Sequence, residues 1–217
     1  MITIQDRQIE RALIVDDEPR ARDAYEYVIE DMGVTPHQVV DGLHDSMDGL
    51  RSEIQPGDVV LCDFHLKKHD YAPYNGDQVL ANCFQDDVPG VLCTTDADPW
   101  IRRDCLRYLP GIIKTGDPQP SDVRRALEQC VLELKRDFQP DRRAWRTLVR
   151  VSDIDRDQRC FYAVVPAWHV RKKIRIDYDN VPTEIQALIE PDRRFHAVVN
   201  TGAGSARDLF FDDWEVE

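Results

Sequence analysis

A doubly wound α/β domain followed by a small antiparallel β domain is the fold this sequence predicts. Two observations predict it. Across residues 11–138, short continuous apolar runs alternate with amphipathic helical stretches, the pattern of a parallel sheet covered on both faces. From Trp145 onward apolar residues recur with period two instead, and turn signals separate the runs.

Five strands are predicted in the first domain, at residues 12–15, 39–40, 59–62, 90–93 and 111–113. Between them, residues 19–32 carry apolar side chains at positions 21, 25, 28, 29 and 32, one face of a helix. Pro19 suits its first turn, and Gly33 is placed to end it in the left-handed conformation. Asp98-Pro99 reads as the cap and first position of a helix running through Tyr108. Ser121 opens a last helix whose apolar positions 123, 127, 130, 131, 134 and 138 share a face. The helical pattern stops around Gln139-Pro140-Asp141, which places the first domain at 1–138, a linker at 139–143 and the second domain at 144–217. There Ile174, Ile176 and Tyr178 alternate with Arg175 and Asp177, and Phe195, Ala197 and Val199 with His196 and Val198, in a sheet of about five strands. So small a core is expected to pack on the first domain or on a second copy, as a homodimer.

The formal charge of −13 is unevenly placed. Residues 1–140 carry 27 acidic and 15 basic side chains, whereas 141–217 carry 14 and 13. Acidity of that kind argues against nucleic-acid binding by the first domain, because phosphate contacts need Lys and Arg on one face. No apolar run reaches membrane-spanning length and no leader-like segment opens the chain, so a cytoplasmic protein is expected. The six cysteines are scattered without a Cys-x-x-Cys pair and are expected to be buried thiols, with neither a disulfide framework nor a zinc site.

Ligands of a parallel sheet bind outside the carboxyl ends of its strands. Those ends are polar here: Asp16-Asp17-Glu18 after the first run, Asp63 after the third, Thr94-Thr95 after the fourth and Lys114 after the fifth. Each alone is an ordinary turn residue or cap. Together they bring carboxylates, a hydroxyl and an ammonium to one crevice. Crowded carboxylates need a cation or raised pKa values, and hard oxygen ligands beside phosphate oxygens suit Mg²⁺.

The segments Leu13-Ile14-Val15-Asp16-Asp17-Glu18, Val60-Leu61-Cys62-Asp63, Val91-Leu92-Cys93-Thr94-Thr95 and Ile112-Ile113-Lys114 resemble, in order, the four marker segments of response-regulator receiver domains. The resemblance covers roughly residues 11–138 and implies a (βα)5 flavodoxin-like fold and a place in a two-component phosphorelay. It implies that Asp63 takes a phosphoryl group from a histidine kinase or phosphotransfer protein, and that Asp16, Asp17, Asp63 and the His65 carbonyl hold Mg²⁺. Lys114 would pair with the phosphoryl oxygens and Thr95 would supply the switching hydroxyl. His65 stands where receivers tune the lifetime of the acyl phosphate. The sequence departs from the family at Thr115, where proline is usual, and at Gly111, where an aromatic is usual. The loop between Asp63 and Gly76 is about five residues longer than the familiar one, and its Tyr71 and Tyr74 are candidate partner contacts.

The second domain offers no pair of amphipathic helices for a helix-turn-helix output. Two basic clusters, Arg142-Arg143-Arg146-Arg150 and Arg171-Lys172-Lys173-Arg175, are interleaved with Trp145 and Trp168, but the domain is near neutral and ends in acid. An Asp/Asn-x-Ser-x-x-Gly element of a cyclic-dinucleotide domain is not found at suitable spacing, and His169 and His196 lack convergent catalytic company. The expected output is therefore binding of an unidentified downstream protein, with no separate enzymatic activity. The alternatives are an atypical nucleic-acid-binding regulator and a phosphate sink or shuttle.

Overall fold

The computed structural model describes residues 1–43, 47–97 and 99–217, which fall into two compact units. In chain order the elements are β1 (Ile2–Ile4), β2 (Arg7–Ile9), β3 (Arg11–Val15), α1 (Pro19–Asp31), β4 (Thr35–Gln38), α2 (Asp48–Glu53), β5 (Asp58–Asp63), α3 (Gly76–Gln85), β6 (Gly90–Thr94), α4 (Arg103–Leu106), β7 (Ile112–Lys114) and α5 (Pro120–Leu134). They continue as β8 (Trp145–Asp155), β9 (Cys160–Val164), β10 (Ile174–Asp177), α6 (Thr183–Gln186), β11 (Arg194–Val199) and β12 (Phe211–Val216). No helix among the described residues is long and apolar enough to cross a membrane.

In the first unit a parallel sheet has the order β4-β3-β5-β6-β7, the doubly wound order that reverses direction between β3 and β5. Central strands β3, β5 and β6 are buried almost without interruption, as strands covered on both faces must be. One covering layer joins Ile29, Val123, Leu127 and Val131 to Leu61, Val91 and Cys93. Helix α1 starts on Pro19 and ends before Gly33, whose φ of 73° is left-handed. Helix α5 opens one residue earlier than Ser121, on Pro120, with a capping box between Gln119 and Asp122. It ends at Leu134, short of Phe138.

The structure corrects two of these expectations and adds a hairpin. The second parallel strand is Thr35–Gln38 rather than residues 39–40: it is an edge strand, where Pro36 and half-exposed polar side chains are tolerated, and Val40 is exposed. The helix expected from Asp98-Pro99 to Tyr108 is a single turn, Arg103–Leu106. Asp98 lies outside the described residues, and the Leu106 carbonyl has no i+4 amide to meet because residue 110 is proline. The hairpin β1-β2, which buries Ile4 and Ile9, follows from the alternating pattern of residues 1–10 but was not among the predicted strands.

The second unit is an antiparallel sheet, β10-β9-β8-β11-β12. Val149, Val151, Phe161, Ala163, Ile174, Ile176, Phe195, Ala197 and Val199 form its core. The sheet curls, so that Trp214 of β12 packs its ring against Phe195 at 6.1 Å and against Phe161 of β9 at 6.4 Å. Residues 139–143 join this unit rather than forming a free linker: the Asn200 amide donates to the Asp141 carbonyl at 3.1 Å. All six cysteines are buried.

Phe195 is fully enclosed and in ring contact with Trp214, so Phe195→Ala removes a large side chain that nothing can replace. Its expected cost is about 3–5 kcal/mol, read from urea unfolding followed by Trp fluorescence.

Candidate functional site

The carboxyl ends of β3 and β5 bring Asp16, Asp17 and Asp63 together, with one oxygen from each within 4.8 Å of the others. Asp16 and Asp17 are 4% and 3% exposed. Asp16 Oδ1 accepts the Glu18 N–H at 2.7 Å, Asp17 Oδ2 accepts the Lys68 N–H at 2.6 Å, and Asp63 Oδ2 accepts the His65 N–H at 2.9 Å. Each acid is thus oriented by a backbone N–H. Burial, reinforced by Asp63 and Asp17, pushes the Asp16 pKa up to about 7. Burial also raises Asp63, against the N–H groups of His65 and Phe64 that favour its charged form. Three hard oxygen donors with excess negative charge fit Mg²⁺, completed by water and phosphate oxygens.

The remaining strand ends flank this crevice. Asp63 is the register neighbour of Cys93, and Thr94 that of Lys114. The buried hydroxyl at the end of β6 is Thr94, 2% exposed, whose Oγ1 accepts the Asp96 N–H at 3.1 Å. Thr95 lies beyond the strand and is exposed, its position shifted because β6 runs one residue further than residues 90–93. Lys114 is exposed, with Nζ 3.4 Å from the Ala97 carbonyl. The His65 ring stands beside the crevice with Nε2 2.7 Å from Asp96 Oδ2.

The two loop tyrosines behave differently from the expectation. Tyr71 is 5% exposed and its hydroxyl donates to the Val39 carbonyl at 2.6 Å, so it is a core residue and no partner contact. Tyr74 is half-buried, its hydroxyl enclosed. Lys67, Lys68, His69 and Asp70 form a continuous exposed stretch of the loop, and His65 and Pro73 are exposed beside it. Arg22 of α1, which no motif marks, lies with its guanidinium carbon 6.0 Å from the Tyr71 ring centroid and donates to the Asp16 carbonyl at 2.6 Å, tying loop to acid pair. Gly76 closes the loop because a Cβ there would stand 1.9 Å from the Asp63 carbonyl.

Gly111, where the resembling family has an aromatic, is explained by packing. A Cβ at that position would lie 2.8 Å from the Ala126 carbonyl of α5, so helix and strand approach too closely for any side chain. In the second unit three residues of the basic clusters face acid, Arg146 with Glu215 at 2.8 Å, Arg175 with Asp177 at 2.9 Å and Lys173 with Asp153 at 4.0 Å, while Arg143 and Lys172 stand over the Trp145 and Trp168 rings.

No protein-family model matches the sequence, and no curated protein does. Among solved structures, similar ones include the N-terminal domain of a response regulator/sensory box/GGDEF three-domain protein from Carboxydothermus hydrogenoformans, 15% identical over 59% of this chain and 98% of that one, with a TM-score of 0.47. The signal receiver domain of a modulated diguanylate cyclase from Desulfovibrio desulfuricans G20 is 19% identical over 60% and 99%, with a TM-score of 0.48. A CheY-like receiver domain from Methylobacillus flagellatus is 13% identical over 57% and 99%, with a TM-score of 0.43. The strand order of the first unit is that of a doubly wound α/β domain, with the acidic crevice at the carboxyl ends of its strands.

Two outcomes follow from this geometry. The Asp16 pKa is higher folded than its ordinary 3.8, so the favourable effect of a proton there is lost as pH rises through about 7. In metal-free buffer, Asp16→Asn should exceed wild type in melting temperature by a margin that grows from about pH 4 to about pH 7 and then levels off, and Mg²⁺ should shrink it; a margin independent of pH would contradict the cause given. Gly111→Ala should cost about 1–3 kcal/mol in thermal or urea unfolding, because α5 must move to admit one methyl group.

Proposed function

We propose that the chain is a response regulator of a two-component phosphorelay, phosphorylated on Asp63 with Mg²⁺ bound by Asp16, Asp17 and Asp63, and that its second unit signals by binding a downstream protein. The observation that carries this reading is the carboxylate cluster at the strand ends: three acids within 4.8 Å, with Asp16 and Asp63 pKa values raised, make a site that needs a cation to be fully charged.

The phosphoryl donor is a phosphohistidine of a histidine kinase or phosphotransfer protein, or a small acyl phosphate. An Asp63 carboxylate oxygen attacks phosphorus, a P–O bond forms to give the acyl phosphate, the P–N bond to the donor imidazole breaks, and that nitrogen leaves with the electron pair and takes up a proton. Bound Mg²⁺ supplies charge neutralisation and alignment of the phosphoryl oxygens. The Phe64 and His65 N–H groups fix the Asp63 carboxylate, Asp16 and Asp17 hold the cation, and Lys114 offers an ammonium to the transferring oxygens. The hydroxyl that contacts the phosphoryl group is assigned to Thr94, the buried strand terminus beside Lys114, in preference to exposed Thr95. No catalytic output beyond phosphoryl acceptance and hydrolysis is assigned. The near-neutral charge of residues 141–217 supports a protein partner over nucleic acid.

Incubation with acetyl phosphate and Mg²⁺ tests this, with intact-mass detection of one base-labile phosphoryl group. Wild type should be modified, EDTA or Asp63→Asn should abolish the signal, and Lys114→Ala should slow it by roughly 10²-fold. Thr94→Ala should slow it more than Thr95→Ala. Modification of Asp63→Asn at the wild-type rate would overturn the assignment.

A further inference from the structure

The loop between β5 and α3 touches both members of the acid pair. The Lys68 N–H donates to Asp17 Oδ2 at 2.6 Å. The Tyr71 hydroxyl, which donates to the Val39 carbonyl at 2.6 Å, also faces the Asp16 N–H. At the carbonyl of Asp16 the Arg22 guanidinium donates at 2.6 Å, and its carbon stands 6.0 Å from the centroid of the Tyr71 ring. The stretch 68–71 therefore fixes the side chain of one acid directly and, with Arg22, the backbone of the other.

The loop has anchors of its own, independent of the acids. Leu66, Tyr71 and Ala72 are buried, the Ala72 N–H meets the Leu66 carbonyl at 2.9 Å, and the Leu43 N–H meets the Tyr71 carbonyl at 2.7 Å. Gly42 allows that last approach: its φ is 74°, and a Cβ there would stand 2.7 Å from the Tyr71 carbonyl oxygen. Between the anchors the chain reverses at His69 and Asp70, both left-handed with φ of 57° and 54°, a conformation that His and Asp adopt more readily than most residues. Lys68 adds a contact of its side chain, with Nζ 3.8 Å from Glu18 Oε2.

Mg²⁺ accepts only near-octahedral donors, so whatever orients its carboxylate ligands sets how tightly it is held. We propose that the loop 66–72 is a strap that presets the acid pair for the cation, with Lys68 and Tyr71 as positioning residues whose contribution is Mg²⁺ affinity rather than phosphoryl transfer. This rests on the metal site of the reading above and extends it to residues that neither hold the ion nor meet the phosphoryl group. Affinity is the quantity affected because the contacts of the strap end on Asp16 and Asp17. The acceptor Asp63 is held separately, by the N–H groups of Phe64 and His65.

Calorimetric titration of the full chain with Mg²⁺, beside the rate of acetyl-phosphate labelling at varied Mg²⁺, tests the strap. Tyr71→Phe removes the hydroxyl and keeps the ring beside Arg22, and Lys68→Pro removes the N–H that Asp17 accepts. Each should weaken Mg²⁺ binding about tenfold or more and raise by the same factor the Mg²⁺ needed for half the maximal labelling rate. The rate at saturating Mg²⁺ should stay within about twofold of wild type. Loss of a lysine charge alone acts in the opposite direction, and Lys67→Ala, which keeps every contact named, measures that effect. Melting in EDTA shows which variants are folded, and Lys68→Pro, in the exposed stretch of the loop, decides if Tyr71→Phe is not. Wild-type affinity in the folded variants would overturn the strap and leave the metal site standing. An affinity loss matched by an equal fall in the saturated rate would mark a distorted site and overturn it too. A wild type that binds no Mg²⁺ would overturn the metal site of the proposed function, and the strap with it.

Discussion

Mutual repulsion of carboxylates at the ends of β3 and β5 is the constraint on which the rest of this structure depends. Acids as buried as Asp16 and Asp17 are costly unless each lone pair has a partner, and the local chain is shaped to provide them. The turn after Asp16 offers the Glu18 N–H, the turn after Asp63 offers that of His65, and the long loop returns to place the Lys68 N–H on Asp17. Backbone donors orient the acids without cancelling their charge. The Mg²⁺ proposed above would supply the missing partner.

That requirement explains the loop. It comes back over the sheet because Tyr71 is anchored to the Val39 carbonyl, the Leu43 N–H meets the Tyr71 carbonyl at 2.7 Å, and Gly76 lets α3 start directly against the Asp63 backbone. Arg22 joins the Tyr71 ring to the Asp16 carbonyl, so the loop and the acid pair form one connected polar network. The additional residues thus belong partly to the interior, with Tyr71 and Ala72 buried while the stretch from Lys67 to Asp70 faces solvent.

A second charged group, Arg103, plays the corresponding part in the β unit. There the need arises from the Arg175 carbonyl of edge strand β10 and the Ala206 and Leu209 carbonyls ahead of β12 rather than from crowded acids. The guanidinium satisfies them from a segment that the chain order assigns elsewhere.

Much of this could be read in the sequence. Continuous apolar runs in β3, β5 and β6 and the polar residues that close them were legible because a strand buried on both faces admits few other patterns, and a parallel sheet puts its strand ends together. Period two likewise announced the antiparallel sheet. Edge strand β4 and hairpin β1-β2 were less visible, since half-exposed strands carry mixed residues and three-residue strands are too short for periodicity to register. Arg22 and Arg103 gave no local signal at all, and Thr94 was marked only as one of two strand-end hydroxyls. Their roles depend on which carbonyl, ring or strand end lies across a gap, and so does the reason for Gly111, which is the closeness of the Ala126 backbone. By itself the sequence determined two folds and an acidic crevice, because patterns along the chain decide what is buried. Only the tertiary structure decided which side chains share a neighbour and that residues 102–107 serve the β unit, because those outcomes are set by distances between segments far apart in the chain.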